Sequence, residues 1–261
     1  MSDFITVLTT ASGADLGKSF SGPDLEPLPF QTSKHFIAEK LEVHDLSSLI
    51  DELQTLEGEP TKTVIRGKVL SDASEIISRD KETILASPRS WCMLDIDGLF
   101  WDGPDSHEAR LNHAILHLPA EFQNTDFYYH FSSSMGIKEG IRVHLWYWLD
   151  RPCSDEEMKV WLSGTAADPR MFSPTQIHLT SNPRFVEGAV DPVAKRSGLL
   201  AFGDHKQTVS VPDDLADRHC QNKRPCPTAC WILASGPCPI LYLSVILKPA
   251  LRSFNSQLCC M

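Results

Sequence analysis

The chain lacks several features that would assign it to a special class of protein. Among its 261 residues there is no internal repeat, and no apolar run follows a basic start, so no secretory signal is expected. Its 42% apolar and 22% charged residues exclude disordered, collagen-like and coiled-coil architectures. Only two of its eight cysteines, Cys92 and Cys153, lie within the first 217 residues. We therefore expect the body of the chain to be a reduced, cytoplasmic protein without a disulfide frame.

The last 44 residues differ in composition from the rest of the chain. They contain five basic residues, no acidic residue and six cysteines. The cysteine spacing is unlike the short pairs of a zinc knuckle, and the apolar stretch 231–247 is short for a membrane span and contains two prolines. Zinc binding and membrane insertion remain alternatives to a simpler interpretation, a shifted or truncated reading frame. We predict that residues 211–261 lie outside the core, and we expect no membrane association.

Acidic residues are concentrated at the start of the chain. The formal net charge is −10; residues 1–130 carry −12, residues 131–217 carry −3 and the remainder carries +5. Proteins that coat nucleic acid are usually basic, so this balance argues against such a role. The balance leaves room for an acidic metal site.

The first 88 residues predict a unit of strands and helices. Apolar residues recur at helical spacing in some segments, whereas others are short and β-rich. Prolines exclude a helix between the first strand and about residue 33. The predicted strands are residues 4–10 and 63–70, and the predicted helices are residues 36–41, 46–56 and 71–85. We assign residues 1–88 to an N-terminal α/β portion.

Residues 89–210 predict a core in which strands and helices are interleaved. An apolar run at 90–97 has the length of a buried strand, and an amphipathic helix follows and ends at Pro119. Two further strands, 126–131 and 141–149, are close enough to form a hairpin. A capping box at Ser154 begins another helix, and strands at 176–180 and 197–202 follow. The hairpin favours an α+β fold over a purely parallel sheet.

Two carboxylates end the first of these core strands. Asp95 and Asp97 are two residues apart, so their side chains point to the same face. No basic residue is adjacent in sequence, and buried carboxylates need a cationic partner. Magnesium or manganese would suit such hard oxygen ligands. The alternative is that one carboxylate caps the following turn and the other is solvated.

Basic and hydroxyl side chains occupy the predicted hairpin. Arg142 and His144 share one face of its second strand, with Ser133 in the connection opposite them. An arginine, a histidine and hydroxyls at one place could bind a phosphate or an oxyanion. The alternative is a half-buried histidine bonded to a backbone carbonyl.

A loop-like segment at 181–192 precedes further candidates. It contains Arg184 and Asp191, and Lys195 and Arg196 follow it. Asp191 could supply a third carboxylate, and the neighbouring bases could bind a triphosphate. A solvated loop is the alternative.

The order of these elements resembles the archaeo-eukaryotic primase superfamily, the primase-polymerases of plasmids, phages and some cellular replication systems. That family has an apolar strand ending in two acids, a strand with a small residue two positions before a histidine, and a later aspartate after an apolar residue. The matching segments are residues 93–97 (MLDID), 142–144 (RVH) and 190–191 (VD), supported by 64–67 (VIRG), 144–152 (HLWYWLDRP), 176–183 (QIHLTSNP) and 190–200 (VDPVAKRSGLL). The resemblance covers roughly residues 1–205. One departure is Arg142, where many members have a small residue.

This resemblance implies a fold, a reaction and a set of site residues. The fold would be a small antiparallel, RNA-recognition-like sheet flanked by helices. The reaction would be template-directed nucleotidyl transfer on single-stranded DNA, with Asp95, Asp97 and Asp191 holding two Mg²⁺ or Mn²⁺ ions. His144 and Arg142 would contact the incoming nucleoside triphosphate, and Ser133, Arg184, Lys195 and Arg196 are further nucleotide-binding candidates. A partner helicase, or a missing C-terminal helicase domain, is also implied.

Three other functions fit parts of the sequence. The DIDG segment at 95–98 also resembles the motif of haloacid-dehalogenase-type phosphatases, in which Asp95 would be the nucleophile, although Leu99 replaces the usual threonine. Residues 12–19 (SGADLGKS) approach a phosphate-binding loop, but Ser12 replaces its first glycine and later prolines deny the required helix. A catalytically inactive, nucleic-acid-binding replication domain is the third alternative.

Overall fold

The computed structural model describes residues 2–70 and 75–215. Predictions for residues 71–74 and 216–261, including the six late cysteines, lie outside this described part. Within it, Cys92 and Cys153 are buried free thiols, and no helix is long and apolar enough to cross a membrane. In chain order the elements are β1 Asp3–Thr10, β2 Ser19–Ser21, β3 Glu26–Pro27, β4 His35–Val43, α1 Leu46–Leu56, β5 Lys62–Ile65, β6 Lys68–Val69, β7 Ile76–Ser78, β8 Ile84–Leu85, β9 Arg89–Leu99, α2 His107–Leu116, α3 Ala120–Gln123, β10 Phe127–Phe131, β11 Ile141–Cys153, α4 Asp155–Trp161, β12 Ile177–His178, β13 Arg184–Val186, β14 Ser197–Leu200 and β15 Thr208–Val209, with a 3₁₀ turn at Pro169–Met171 between α4 and β12.

The first sheet is antiparallel throughout. Its order is β12-β5-β1-β4-β7, and its central strand β1 pairs with β4 from Asp3 opposite Val43 to Thr10 opposite Phe36. Among the described residues of 1–88, β1, β4, β5 and β7 form most of this antiparallel sheet, and α1 is the one helix. The edge strand β12 comes from residues 177–178, so the first 88 residues do not complete this sheet alone.

Two predicted helices in this portion are wrong. Residues 36–41 lie in β4, because pairing with eight residues of β1 satisfies their backbone groups better than one isolated helical turn could. In the described part of 71–85, residues 76–78 and 84–85 form the short strands β7 and β8. The buried side chains of Ile77 and Ile84 pack in the same small core as Leu8 and Phe36.

Helix α1 forms where it was predicted and joins the two sheets. Asp45 caps it by accepting a hydrogen bond from the Ser48 backbone N–H, and four leucines spaced along one face are buried. That face shares one core with Ile5 and Val7 of β1 and with the tryptophans of the second sheet. The N-terminal portion thus covers part of one face of the second sheet.

The second sheet carries the predicted core strands. Its order is β14-β10-β11, with β9 along the other side of β11 and β15 pairing near the far end of β11. Both β9 and β10 are antiparallel to β11, so they are parallel to each other and connect through α2 and α3 as a split β-α-β unit. The opposite face is covered by α2, α3 and α4, which pack on Leu94, Leu145 and Tyr147. The mixed α+β, largely antiparallel fold confirms the predicted class.

The strand directions and the early loop bear on two alternatives. The strand that ends in Asp95 and Asp97 is antiparallel to its partner β11, whereas the phosphatase alternative requires a parallel Rossmann-like sheet. Residues 12–19 lead into the short strand β2 without an intervening helix. A phosphate-binding loop needs a helix at this point, so this alternative is excluded.

A buried arginine links the sheets below the shared core. The guanidinium of Arg66 donates to Asp155 Oδ1 at 2.8 Å, to the Trp91 carbonyl at 2.6 Å and to the Cys153 carbonyl at 2.9 Å. The carbonyl of Arg66 in turn accepts from Arg89 Nε at 2.7 Å. The side chain of Arg66 is fully buried. It neutralises the Asp155 carboxylate and supplies hydrogen bonds to the Trp91 and Cys153 carbonyls.

We expect Arg66→Met to lower the free energy of unfolding by about 3–5 kcal/mol, because it leaves the Asp155 carboxylate buried without its cation. Arg170→Met is the matched control: Arg170 also pairs with an aspartate, but its side chain is 89% exposed, so little change is expected. Urea unfolding of both variants measures the difference. Equal stability of the two variants would contradict this account.

Candidate functional site

The register between β9 and β11 brings four predicted residues together. Asp95 lies opposite His144, and Asp97 lies opposite Arg142, all on the face that the helices do not cover. On the other side of β11, His130 of β10 lies opposite His144. Arg142 and His144 therefore lie on one face of β11, as predicted, and both lie beside the two carboxylates of β9.

The cation beside the carboxylates comes from the neighbouring strand. Arg142 pairs with the Asp97 carboxylate, and His144 Nε2 lies 3.6 Å from Asp95 Oδ1. Gly98 permits this approach: it adopts a φ of +83°, and a Cβ there would lie 3.1 Å from Arg142 Nη2. Sequence adjacency could not identify Arg142 as the partner, because 44 residues separate it from Asp97.

Asp95 lies in an unfavourable environment for a negative charge. Burial, the carboxylates of Asp97 and Asp168, and only partial compensation by Lys18 and Arg142 raise the pKa of Asp95 to about 6. The backbone of Asp168 is tied to this point, since its N–H donates to the Asp95 carbonyl at 2.9 Å. A cation bound here would relieve the repulsion between Asp95 and Asp97.

Asp191 belongs to a different ion pair. Its two carboxylate oxygens each accept a hydrogen bond at 2.7 Å from Arg196, and the Val193 backbone N–H donates to Oδ1 at 2.8 Å. Arg196 also donates to the Ser132 carbonyl at 2.8 Å. Among residues 2–70 and 75–215, no group of three His, Cys, Asp or Glu side chains could hold a metal ion. The structure thus groups Asp95 with Asp97 but does not add Asp191 to them.

The remaining nucleotide-binding candidates have other neighbours. Arg184 pairs with Asp15. Lys195 is exposed and lies near enough to His107 to lower the pKa of that imidazole, together with the larger effects of burial and Arg110. Ser133 is half-buried in the turn between β10 and β11.

Four residues near the carboxylates that the sequence did not single out form one hydrogen-bonded chain, which runs from Tyr128 through Glu57 and Asn182 to His130. His130 Nε2 lies 3.0 Å from Asn182 Oδ1, and Asn182 Nδ2 donates to Glu57 Oε2 at 3.2 Å. The Tyr128 hydroxyl also donates to Glu57. Since the Asn182 amide donates to a carboxylate, its oxygen is left to accept from His130, which fixes the proton on Nε2. The only sequence signal was that His130 shares a strand face with Tyr128.

Burial keeps both facing histidines neutral at pH 7. It lowers the pKa of His144 to about 4, with Lys18 acting in the same direction and Asp97 opposing it. Burial and the neighbouring His144 lower the pKa of His130 to about 4. The two rings meet edge to face, with centroids 6.1 Å apart. At neutral pH, His144 can therefore donate or accept a hydrogen bond without carrying charge.

A third buried histidine lies beside this row. His178 of β12 contacts the rings of Trp91 and Trp146 at centroid distances of 6.3 and 6.0 Å. Neither ring nitrogen has a hydrogen-bond partner among the described residues, and the same is true of the Thr180 and Ser181 hydroxyls. Burial, followed by Arg66 and His144, lowers the pKa of His178 to about 3.

His178 should make the fold acid-sensitive. In the unfolded chain a histidine binds a proton below its ordinary pKa of 6.5, whereas buried His178 stays neutral down to about 3. Stability is therefore present above pH 6.5 and is lost as the pH falls toward 3. Between pH 7.5 and pH 4.5 we expect the free energy of unfolding of the wild type to fall by about 2–3 kcal/mol more than that of His178→Leu. Urea unfolding at the two pH values measures this, with the exposed His35→Leu as control. An unchanged pH dependence in His178→Leu would contradict the assignment.

The comparisons with known proteins point to one phage protein. The chain is 25% identical over 222 residues to the "Putative replication origin binding protein" of Escherichia phage T5. The match covers 77% of this chain and 24% of that protein, so the chain spans about a quarter of its relative's length. No protein-family model matches the chain, and no solved structure matches it.

Proposed function

We propose that the chain is the nucleotidyl-transfer domain of a DNA primase or primase-polymerase in the replication of a phage or another mobile element. The observation that carries this proposal is the placement of Asp95 and Asp97 side by side on β9, directly opposite His144 and Arg142 on β11. Two carboxylates with a phosphate-binding arginine and a neutral imidazole are suited to bind a metal-bound triphosphate. The replication protein of phage T5 supports the biological setting.

A divalent ion would be held by Asp95 and Asp97. Magnesium is commonly bound by one or two carboxylates together with substrate phosphates, so this pair fits one Mg²⁺ or Mn²⁺ ion. When bound, such an ion would act as a Lewis acid that stabilises negative charge on the triphosphate oxygens. The second ion that the primase resemblance implies needs Asp191, whose carboxylate is engaged by Arg196. The proposal therefore rests on Asp95 and Asp97.

The other residues of the site would bind and orient the nucleotide. Arg142 presents a planar guanidinium that can exchange the Asp97 carboxylate for phosphate oxygens once a cation neutralises Asp97. His144 would donate a hydrogen bond to a phosphate oxygen while neutral. The hydrogen bonds from Glu57 through Asn182 would hold the imidazole of His130, which contacts the ring of His144, in one orientation. Lys18, near Asp95 and His144, adds positive charge at the same place.

A second function is favoured by the ion pairs themselves. Arg142 neutralises Asp97 and Arg196 neutralises Asp191, as expected of a domain that binds DNA at a replication origin without catalysis. In that case the same face would contact DNA, and its acids would maintain the structure. The two functions differ in their response to a metal ion. A partner helicase, or a C-terminal helicase domain, belongs to the first proposal, because the primase resemblance implies it.

Primer synthesis distinguishes the two functions. With single-stranded DNA, labelled nucleotides and Mn²⁺, we expect the wild-type chain to make oligonucleotides and Asp95→Asn and Asp97→Asn to reduce the product to background. Asp51→Asn, which changes an exposed acid on α1, is the control and should be active. Product from the two site variants equal to that of the wild type would refute nucleotidyl transfer at this pair. No product from any protein, with DNA binding retained, would favour the origin-binding function.

Metal titration tests the ligand set without a reaction. We expect Asp95→Asn to weaken Mn²⁺ binding, measured by calorimetry, by roughly tenfold or more, because one of two anionic ligands is lost. Asp191→Asn should leave the affinity within a factor of about three, because the Asp191 carboxylate contacts Arg196. A loss in Asp191→Asn as large as that in Asp95→Asn would instead show that all three carboxylates act together.

A further inference from the structure

A groove lies between two loops next to the site. One wall is the segment from Lys18 to Phe30, and the other is the turn between β10 and β11, including Ile137 and Lys138. The groove has a volume of about 330 Å³ and is lined mostly by apolar side chains. Its lining residues include two lysines and no acidic residue, in a chain with a net charge of −10.

The aromatic floor of the groove is fixed in position. Phe20 of β2 is buried and stacks on Phe185 of β13, with ring centroids 5.6 Å apart and planes 21° apart. The strand that carries Phe20 is paired on both sides, by β3 and β13. A ring held in this way loses little conformational entropy when a flat ligand binds.

The rim of the groove exposes apolar side chains on a stiff loop. Phe30 is 49% exposed and Leu28 is 39% exposed. Pro27 and Pro29 restrict the backbone between them. Leu25 adopts a φ of +54°, a strained conformation that only the surrounding loop can maintain. The loop is thus held in a shape that displays Phe30.

The two lysines connect the groove to the carboxylates. Lys18 lies within electrostatic reach of Asp95 and His144, since its ammonium favours the charged form of the carboxylate and the neutral form of the imidazole. Lys138 is exposed on the opposite wall, in the turn that leads directly to Arg142. The two lysines therefore lie on opposite walls of the groove, and the acids of the same two loops, Asp24, Glu26 and Glu139, are not among its lining residues.

We infer that this groove binds single-stranded DNA, with a base stacked on Phe30 and with Lys18 and Lys138 on the flanking phosphates. An exposed aromatic ring flanked by lysines can bind an unpaired base without sequence preference, and Phe30 is the exposed ring of this groove. A small apolar peptide segment would not use the lysines on both walls, and a duplex would not present a free base face. The inference rests on the proposed function, because the strand would be the template of that reaction.

Binding of the full chain to a labelled oligothymidylate tests the inference. Measured by fluorescence anisotropy in EDTA, Phe30→Ala should weaken binding by roughly tenfold, because one base–aromatic stack is lost. Lys138→Ala should reduce the slope of log affinity against log salt by about 0.7, because one phosphate contact is lost. Phe30→Ala should not change the affinity for a duplex.

Matched controls lie on the helical layer of the second sheet. Leu116→Ala removes a side chain that is 66% exposed on α2, and Lys159→Ala removes an exposed lysine on α4; neither should change the affinity. Wild-type affinity in both Phe30→Ala and Lys138→Ala would overturn the inference, and it is the result expected if a protein partner occupies the groove. Equal losses in the controls would also overturn it. Since the assay contains no metal ion or nucleotide, a loss confined to the groove variants supports the inference even if primer synthesis fails.

Discussion

The candidate site depends on the antiparallel register of β9 and β11. These strands pair from Ile141 opposite Leu99 to Trp148 opposite Trp91, and this pairing alone sets Asp95 against His144 and Asp97 against Arg142. A shift of β9 by one residue would turn Asp95 and Asp97 toward the helices and Leu94 and Ile96 toward the first sheet, while Arg142 and His144 stayed in place. Both faces oppose such a shift, because tryptophans fill one core and Leu94 and Leu145 fill the other.

The electrostatics of the site follow from how this sheet is covered. The first sheet and α1 bury the end of this face that carries the tryptophans, and burial keeps His130, His144 and His178 neutral. Burial and the neighbouring Asp97 carboxylate raise the pKa of Asp95. Under the function proposed above, a cation and a phosphate would each neutralise a group that the fold leaves poorly compensated. Lys18, which lines the groove inferred to bind single-stranded DNA, lies within electrostatic reach of Asp95.

The fold class and some of the local elements could be predicted from local patterns. Leucine spacing located α1, the capping box at Ser154 located α4, and alternation in residues 141–149 showed that Arg142 and His144 share a face. The helix predicted at 36–41 failed because long-range pairing with β1 overrides a weak local preference. Glu57 and Asn182 escaped prediction for the same reason: they meet His130 only after distant segments have packed.

The sequence by itself determined which side chains share a strand face, because the two-residue period of a strand is a local property. This was enough to pair Asp95 with Asp97 and Arg142 with His144. Tertiary structure decided which of these groups meet one another. In the folded chain Asp97 pairs with Arg142, and Asp191 pairs with Arg196. Ion pairs form between groups that folding brings within a few ångströms, whatever their separation in sequence.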